Sequence, residues 1–122
     1  MAKARDPLGR LRKIIERWPE TSEKLSHGAP TFWGGRKTFA TFADDLHGDG
    51  RRAIWCKSTH DVVAGLVDAA PEVFFVPPYV GPSGWLGIRV DCDVDWELVA
   101  GLLEAGYRSV APKRAIAKLD QG

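Results

Sequence analysis

FFVPPYVGPSGWLGIRVDCD, from Phe74 to Asp93, decides how the rest of the chain is read. A short apolar run precedes a loop of prolines and glycines, and a segment with period-two patterning follows it. In WLGIRVD, Leu86, Ile88 and Val90 fall on one side of an extended strand, and Trp85, Arg89 and Asp91 on the other, because successive side chains of a strand point to opposite faces. The first set is core. The second set places a tryptophan and an arginine on a face that no aliphatic stripe claims. RRAIWCK, Arg51 to Lys57, repeats the pattern: Ile54 and Cys56 point one way, Trp55 and Lys57 the other.

Working outward, DPLGRLRKIIERWPE carries a helix start, with Asp6 as N-cap and Pro7 in the first helical position, where its missing N–H costs nothing. Leu8, Leu11, Ile15 and Trp18 then share one face of a helix over 8–18, which Pro19 ends. KLSHGAPTFWGGRKTFATFADD reads as short strands, with Gly34-Gly35 supplying the positive φ of a two-residue hairpin turn. DDLHGDGRR is a second turn, in which the Asp44-Asp45 pair serves local hydrogen bonding. Ser58 is the expected N-cap of a helix over 59–69, with Asp61 in the capping-box position. A strand is expected over 73–76, a loop over 77–84 and a helix over 95–106, with Pro112 opening a short terminal helix. Strands joined by hairpins, with helices at both ends, give an α+β domain over 1–122 built on a largely antiparallel sheet of about four to six strands.

At 122 residues, 44% hydrophobic and 10% aromatic, the chain has enough apolar material for one core and too much for a disordered segment. No run approaches the length needed to cross a bilayer, and the N-terminal MAKARDPLGRL lacks an apolar leader core, so the expected location is the cytoplasm. The net charge of +1 argues against a strongly electrostatic nucleic-acid binder, but its distribution is uneven. Residues 1–17 hold six Lys/Arg against two acids and residues 108–122 four against one, leaving an acidic centre. Cys56 and Cys92 form no metal-ligand or disulfide spacing and are read as reduced, buried thiols.

No nucleophile elbow, Ser/His/Asp order, P-loop or dinucleotide-binding glycine pattern occurs, and GGRK is explained by a hairpin turn. No catalytic residue, cofactor or metal is therefore expected. His47 and His60 are read as surface residues.

HGAPTFWGGRKTFATF, the WCK strand end before a helix, FFVPPYVGPSGWLGIRVD and YRSVAPKR together resemble the MmcQ/YjbR family, over about residues 8–118. The resemblance implies a frataxin-like (CyaY-like) fold, with helices packed on one face of a twisted antiparallel sheet. It also implies DNA binding through a double wing of hairpins. His27 matches the family's His-Gly-x-Pro pattern, and Lys57 and Trp85 also fall on matching positions. One departure is informative: the acidic first helix on which frataxin-like iron binding relies is basic here, carrying Arg10, Arg12, Lys13 and Arg17.

The candidate binding residues are then Lys37, Trp55, Lys57, Tyr79, Trp85, Arg89 and His27, together with Lys113 and Arg114 of the terminal helix. Aromatic rings beside cations can stack a base while neutralising phosphate, or hold a small anionic ligand. The expected function is that of a non-enzymatic binding module for nucleic acid, with a binding protein or enzyme for a small anionic or aromatic metabolite as the alternative, and a monomer without membrane contact is expected in either case. The same tryptophans could instead be sealed as core beneath the 77–84 loop, with Lys57 and Arg89 at the sheet rim and His27 a turn residue.

Overall fold

In the computed structural model, residues 6–45 and 48–122 are described. Four α-helices and a six-stranded sheet order along the chain as α1 (Pro7–Ile15), β1 (Thr21–Ser26), β2 (Ala29–Gly34), β3 (Lys37–Asp44), β4 (Arg52–Lys57), α2 (His60–Ala69), β5 (Phe74–Phe75), β6 (Trp85–Arg89), α3 (Trp96–Val110) and α4 (Lys113–Gln121). The strand order is β1-β2-β3-β4-β6-β5, and every neighbouring pair is antiparallel. The fold is thus α+β on an open antiparallel sheet.

The first helix begins where its cap dictates: Asp6 Oδ1 accepts the Gly9 N–H at 3.0 Å, and Pro7 follows. It ends at Ile15, three residues sooner than the apolar spacing implies, because the residue before Pro19 is disfavoured in helical geometry. Trp18 reaches the core from the turn that follows, its ring stacked 5.1 Å from Tyr107 and tilted against Phe39 at 6.1 Å. The cap of α2 is Thr59 rather than Ser58: Thr59 Oγ1 accepts from Val62 N at 3.3 Å, whereas the Ser58 N–H is drawn to Gly84 O at 3.1 Å. Asp95 caps α3 through Glu97 N and Leu98 N, and the helix runs on to Val110, one turn past the expected end. Pro112 is the N-cap residue of α4.

The core lies between the helices and one sheet face. Phe32, Ala40, Cys56 and Leu86 form one row of cross-strand partners on that face, and Phe42, Ile54, Ile88 and Phe74 form the next. Both rows are buried with Leu11, Val99, Leu103 and Tyr107 from the helices. A register shift beside Phe32/Trp33 gives β3 an extra residue, so consecutive Phe39 and Ala40 are both core while Thr38 and Thr41 sit outside it. Such a bulge re-aims side chains that strict alternation would send elsewhere. Tyr107 donates its hydroxyl to Pro19 O at 2.5 Å. Gly106 lets α3 lie directly on β4, since a Cβ there would stand 2.7 Å from Lys57 O.

Candidate functional site

Across the sheet from the helices, the row Lys24, Thr31, Thr41, Trp55, Gly87, Phe75 crosses all six strands. At the β5 end the face is closed by a second, smaller cluster of Ala43, Ala53, Trp55, Phe75 and Trp85, with Val80 packed on it. Phe75 lies over Gly87 so closely that a Cβ at 87 would meet its ring at 2.5 Å. Arg51 covers the outer face of Phe75, its guanidinium 4.1 Å from the ring centroid.

The proline-rich segment forms this cover. Pro77 accepts from Gly81 N at 3.0 Å, residues Gly81–Ser83 make one turn of 3₁₀ helix, and Gly84 turns the chain into β6 at φ 84°. His60 of α2 ties the segment down from outside, its Nε2 3.0 Å from Pro82 O. Trp55 and Trp85 are consequently 5% and 8% exposed, not displayed on an open face. Tyr79 is different. It is held in the left-handed region at φ 67°, uncommon for a bulky residue, and is 78% exposed.

The cover stops short of the β1–β3 side, leaving two adjoining concavities. The first, about 440 Å³, has a floor of Ser26, Thr31, Thr38 and Thr41 and walls of His27, Trp55, Tyr79, Val80 and Trp85. Thr31 Oγ1 donates to Ala29 O at 3.1 Å and lies 3.4 Å from Thr41 Oγ1. The second, about 490 Å³, is lined by Trp33, Arg36, Lys37, Thr38, Lys57, Ser83, Trp85, Ser109 and Val110. Thr38 and Trp85 border both. Arg36, Lys37 and Lys57 have no ion-pair partner among the described residues.

The expected site residues therefore divide. His27, Trp55, Tyr79 and Trp85 meet at the first concavity, and Lys37, Lys57 and Trp85 at the second. His27 is also the first residue of a two-residue hairpin turn, at φ 52° before Gly28 at φ 79°, so it has a backbone reason to be where it is. Arg89 lines neither. Asp91, two residues on and on the same side, takes Arg89 Nε at 3.0 Å and Nη2 at 3.1 Å, which holds the Asp91 carboxyl below its ordinary range.

Lys113 and Arg114 line neither concavity as well. Arg114 is paired with Glu20 at 2.7 and 2.8 Å, and Arg12 of α1 with Glu23 at 2.7 and 2.9 Å. The basic termini thus reach the two glutamates at the start of β1, where these two arginines are neutralised. Lys13, Arg17 and Lys113 stay exposed. His60 is exposed; His47 lies outside the described residues.

Trp33, Arg36 and the threonine row escaped the sequence reading. Arg36 is a turn residue: Gly34 pairs with Lys37, so the tight turn is Gly35-Arg36, one step beyond the expected Gly34-Gly35. Trp33 could have been found by alternation from Phe32, but Thr38 and Thr41 are three apart and straddle the bulge.

Among the described residues no group of three or more His, Cys, Asp or Glu is placed to hold a metal ion. Cys56 is buried, and burial pushes its thiol up to about 12, far from a reactive thiolate. Cys92 is half-buried rather than buried.

The YjbR family model matches residues 16–109, from the end of α1 almost to the end of α3. The chain belongs to the YjbR family. Among solved structures it is similar to the crystal structure of Deinococcus radiodurans protein DR2400, which carries domain DUF419, with a TM-score of 0.73 and 19% identity over 93% of this chain and 87% of that one. At that identity the likeness shows the YjbR fold and nothing of a ligand. A search of curated proteins finds no match. Among the described residues no helix is long and apolar enough to cross a membrane.

Proposed function

We propose that this YjbR-family chain is a non-enzymatic binding module that takes an anionic ligand at the end of its sheet, where the loop-covered face meets the last turn of α3. The observation that carries the reading is the convergence of Arg36, Lys37 and Lys57 with Trp33 and Trp85 around one concavity, with no carboxylate among the described residues to neutralise them. Surface cations usually sit near acids; three that share a hollow and lack them favour an anion. The position of the group adds support. It stands at the sheet end where β2 turns into β3 and β4 ends, and α3 fixes the Lys57 backbone from behind through Gly106.

Catalysis has less support. Among the described residues the titratable side chains lining the aromatic concavity are His27 and Tyr79, with no carboxylate or thiol beside them, and the thiols elsewhere carry raised pKa values.

The test is a titration with inorganic pyrophosphate. The double variant Lys37→Ala/Lys57→Ala is expected to lose at least tenfold in affinity with its melting curve unchanged, and wild-type affinity in that variant overturns the reading.

A second reading, nucleic-acid binding, is favoured by one specific arrangement. Lys24 stands 5.1 Å over the Trp33 ring, which extends the cationic, aromatic surface from Lys57 across β3 and β2 to the β1 edge. The β1–β2 and β2–β3 hairpins, which carry Lys24, Trp33, Arg36 and Lys37, would serve as the wings. A single-stranded oligonucleotide contacting Arg36, Lys37, Lys57 and Lys24 would lose affinity with salt at a log–log slope of about −3, at roughly −0.7 per phosphate.

A further inference from the structure

The aromatic, hydroxyl-floored concavity adjoins the cationic one, and the two share a border at Thr38 and Trp85. From this juxtaposition we infer that the anion is one end of a larger ligand, a nucleoside 5′-monophosphate, whose base enters the space between Tyr79 and the threonine row while its phosphate stays at Arg36, Lys37 and Lys57. The inference rests on the anion-binding reading above and goes beyond it by naming what the anion is attached to.

Three features select this class. The first is chemistry of the walls. Trp55, Tyr79 and Trp85 offer ring surface, and the floor offers Ser26, Thr31, Thr38 and Thr41. Thr31 donates to Ala29 O and Thr41 to Thr31, which leaves lone pairs that can accept from a ring N–H, and the Ser26 and Thr38 hydroxyls can donate or accept, so the floor suits a ring with nitrogen and oxygen at its edge better than a hydrocarbon ring. The second is span. Trp55 and Lys57 lie two residues apart on β4 and point to the same side, which separates the two ends by roughly 7 Å along the strand. A sugar fits between a base and a phosphate over such an interval. The third is size. A hollow of about 440 Å³ lies within the range of small-molecule sites and takes one base rather than a stack of several.

Tyr79 gives the site its outer wall. It is exposed, carried by the covering segment rather than by the sheet, and kept at a positive φ that its side chain does not favour. An aromatic residue at such a backbone angle at the lip of a hollow is placed to lie on a ring that enters.

The experiment titrates the full chain at fixed ionic strength with AMP, GMP, CMP and UMP, each beside its own nucleoside, and with ribose 5-phosphate. At least one nucleotide is expected to bind ten times more tightly than both ribose 5-phosphate and its nucleoside. Tyr79→Ala should lower that nucleotide to the affinity of ribose 5-phosphate and leave ribose 5-phosphate itself unchanged. Lys57→Ala should weaken both phosphates and leave the nucleoside unchanged. If all four nucleotides bind within twofold of ribose 5-phosphate, the base-binding inference is wrong while anion binding stands. If none of the phosphates binds, both fail. A dT8 oligonucleotide that binds more than a hundredfold tighter than UMP, with the salt slope given above, reassigns the site to nucleic acid and overturns the free-nucleotide inference.

Discussion

The two faces of this sheet are built from the same six strands and finished in opposite ways. On one, α1, α2 and α3 close over two full rows of aliphatic and aromatic partners, and Leu11, Phe39, Ile54, Leu86, Ile88, Val99, Leu103 and Tyr107 are completely inaccessible. On the other, one short segment from Pro77 to Gly84 covers Trp55, Phe75 and Trp85 and leaves the threonine row and three cations beside it uncovered. The contrast teaches where to look for binding. A face closed by helices spends its side chains on packing, and a face closed by a loop retains edges, walls and polar floor from which a site can be made.

The largest effect is expected at Trp85. If the loop-covered cluster is a true second core, Trp85→Ala will destabilise the chain by about 3–5 kcal/mol in chemical denaturation, as aromatic truncations in cores do. A change below about 0.5 kcal/mol would mark that face as surface only and dissolve the comparison.

Gly106→Ala probes the link between the faces. Its methyl would meet Lys57 O, a backbone atom that cannot step aside, so a loss of about 1–3 kcal/mol is expected, as for other overpacked sites. Because the collision pushes on Lys57, pyrophosphate affinity should fall as well. Reduced stability with unchanged affinity would show that the helix side does not set the position of the cation.

The helix-side core also has an alkaline signature. The Cys56 thiol ionises near 9 when unfolded and is pushed up to about 12 by burial, so its contribution is intact below pH 9 and is lost as pH rises from 9 to 12. The slope from this group is at most about 1.4 kcal/mol per pH unit. In melts from pH 8 to 11, Cys56→Ala should show a shallower fall than wild type, leaving the shares of Cys92 and Tyr107, whose pKa values burial also raises. Equal slopes would mean that Cys56 reaches solvent.

The smallest effect on stability is expected at Lys57→Ala, within about 0.5 kcal/mol in a thermal melt, even though its anion affinity should drop tenfold.

Much of the helix-packed face was legible because its signals are local and periodic. Asp6-Pro7 marks the start of α1, and alternation in Ala53–Lys57 and Trp85–Arg89 separates the core side from the other without reference to any other strand. The site was legible only in part. Alternation puts Lys57, Trp85 and Arg89 on one side, but it does not tell that Asp91 occupies Arg89 or that the covering segment buries both tryptophans. The bulge at Phe39 breaks the spacing of Thr38 and Thr41, so their alignment depends on pairing with β2 and β4. β1 begins at Thr21, three residues before the expected strands, because TSEKLS has no apolar side to reveal it.

That polar first strand has a consequence for self-association. β1 is an edge, and an unpaired edge is a template on which a second copy can add antiparallel. In a two-fold pairing, opposed residues share a face, so the symmetry axis must pass through a residue rather than between two. The two registers that match most of β1 centre on Glu23 or on Lys24; the first brings together two carboxylates already paired with Arg12, and the second sets ammonium against ammonium. The edge the fold leaves open is thus guarded by charge in the register centred on Lys24, and in the other by the Arg12 that a second copy would have to accommodate.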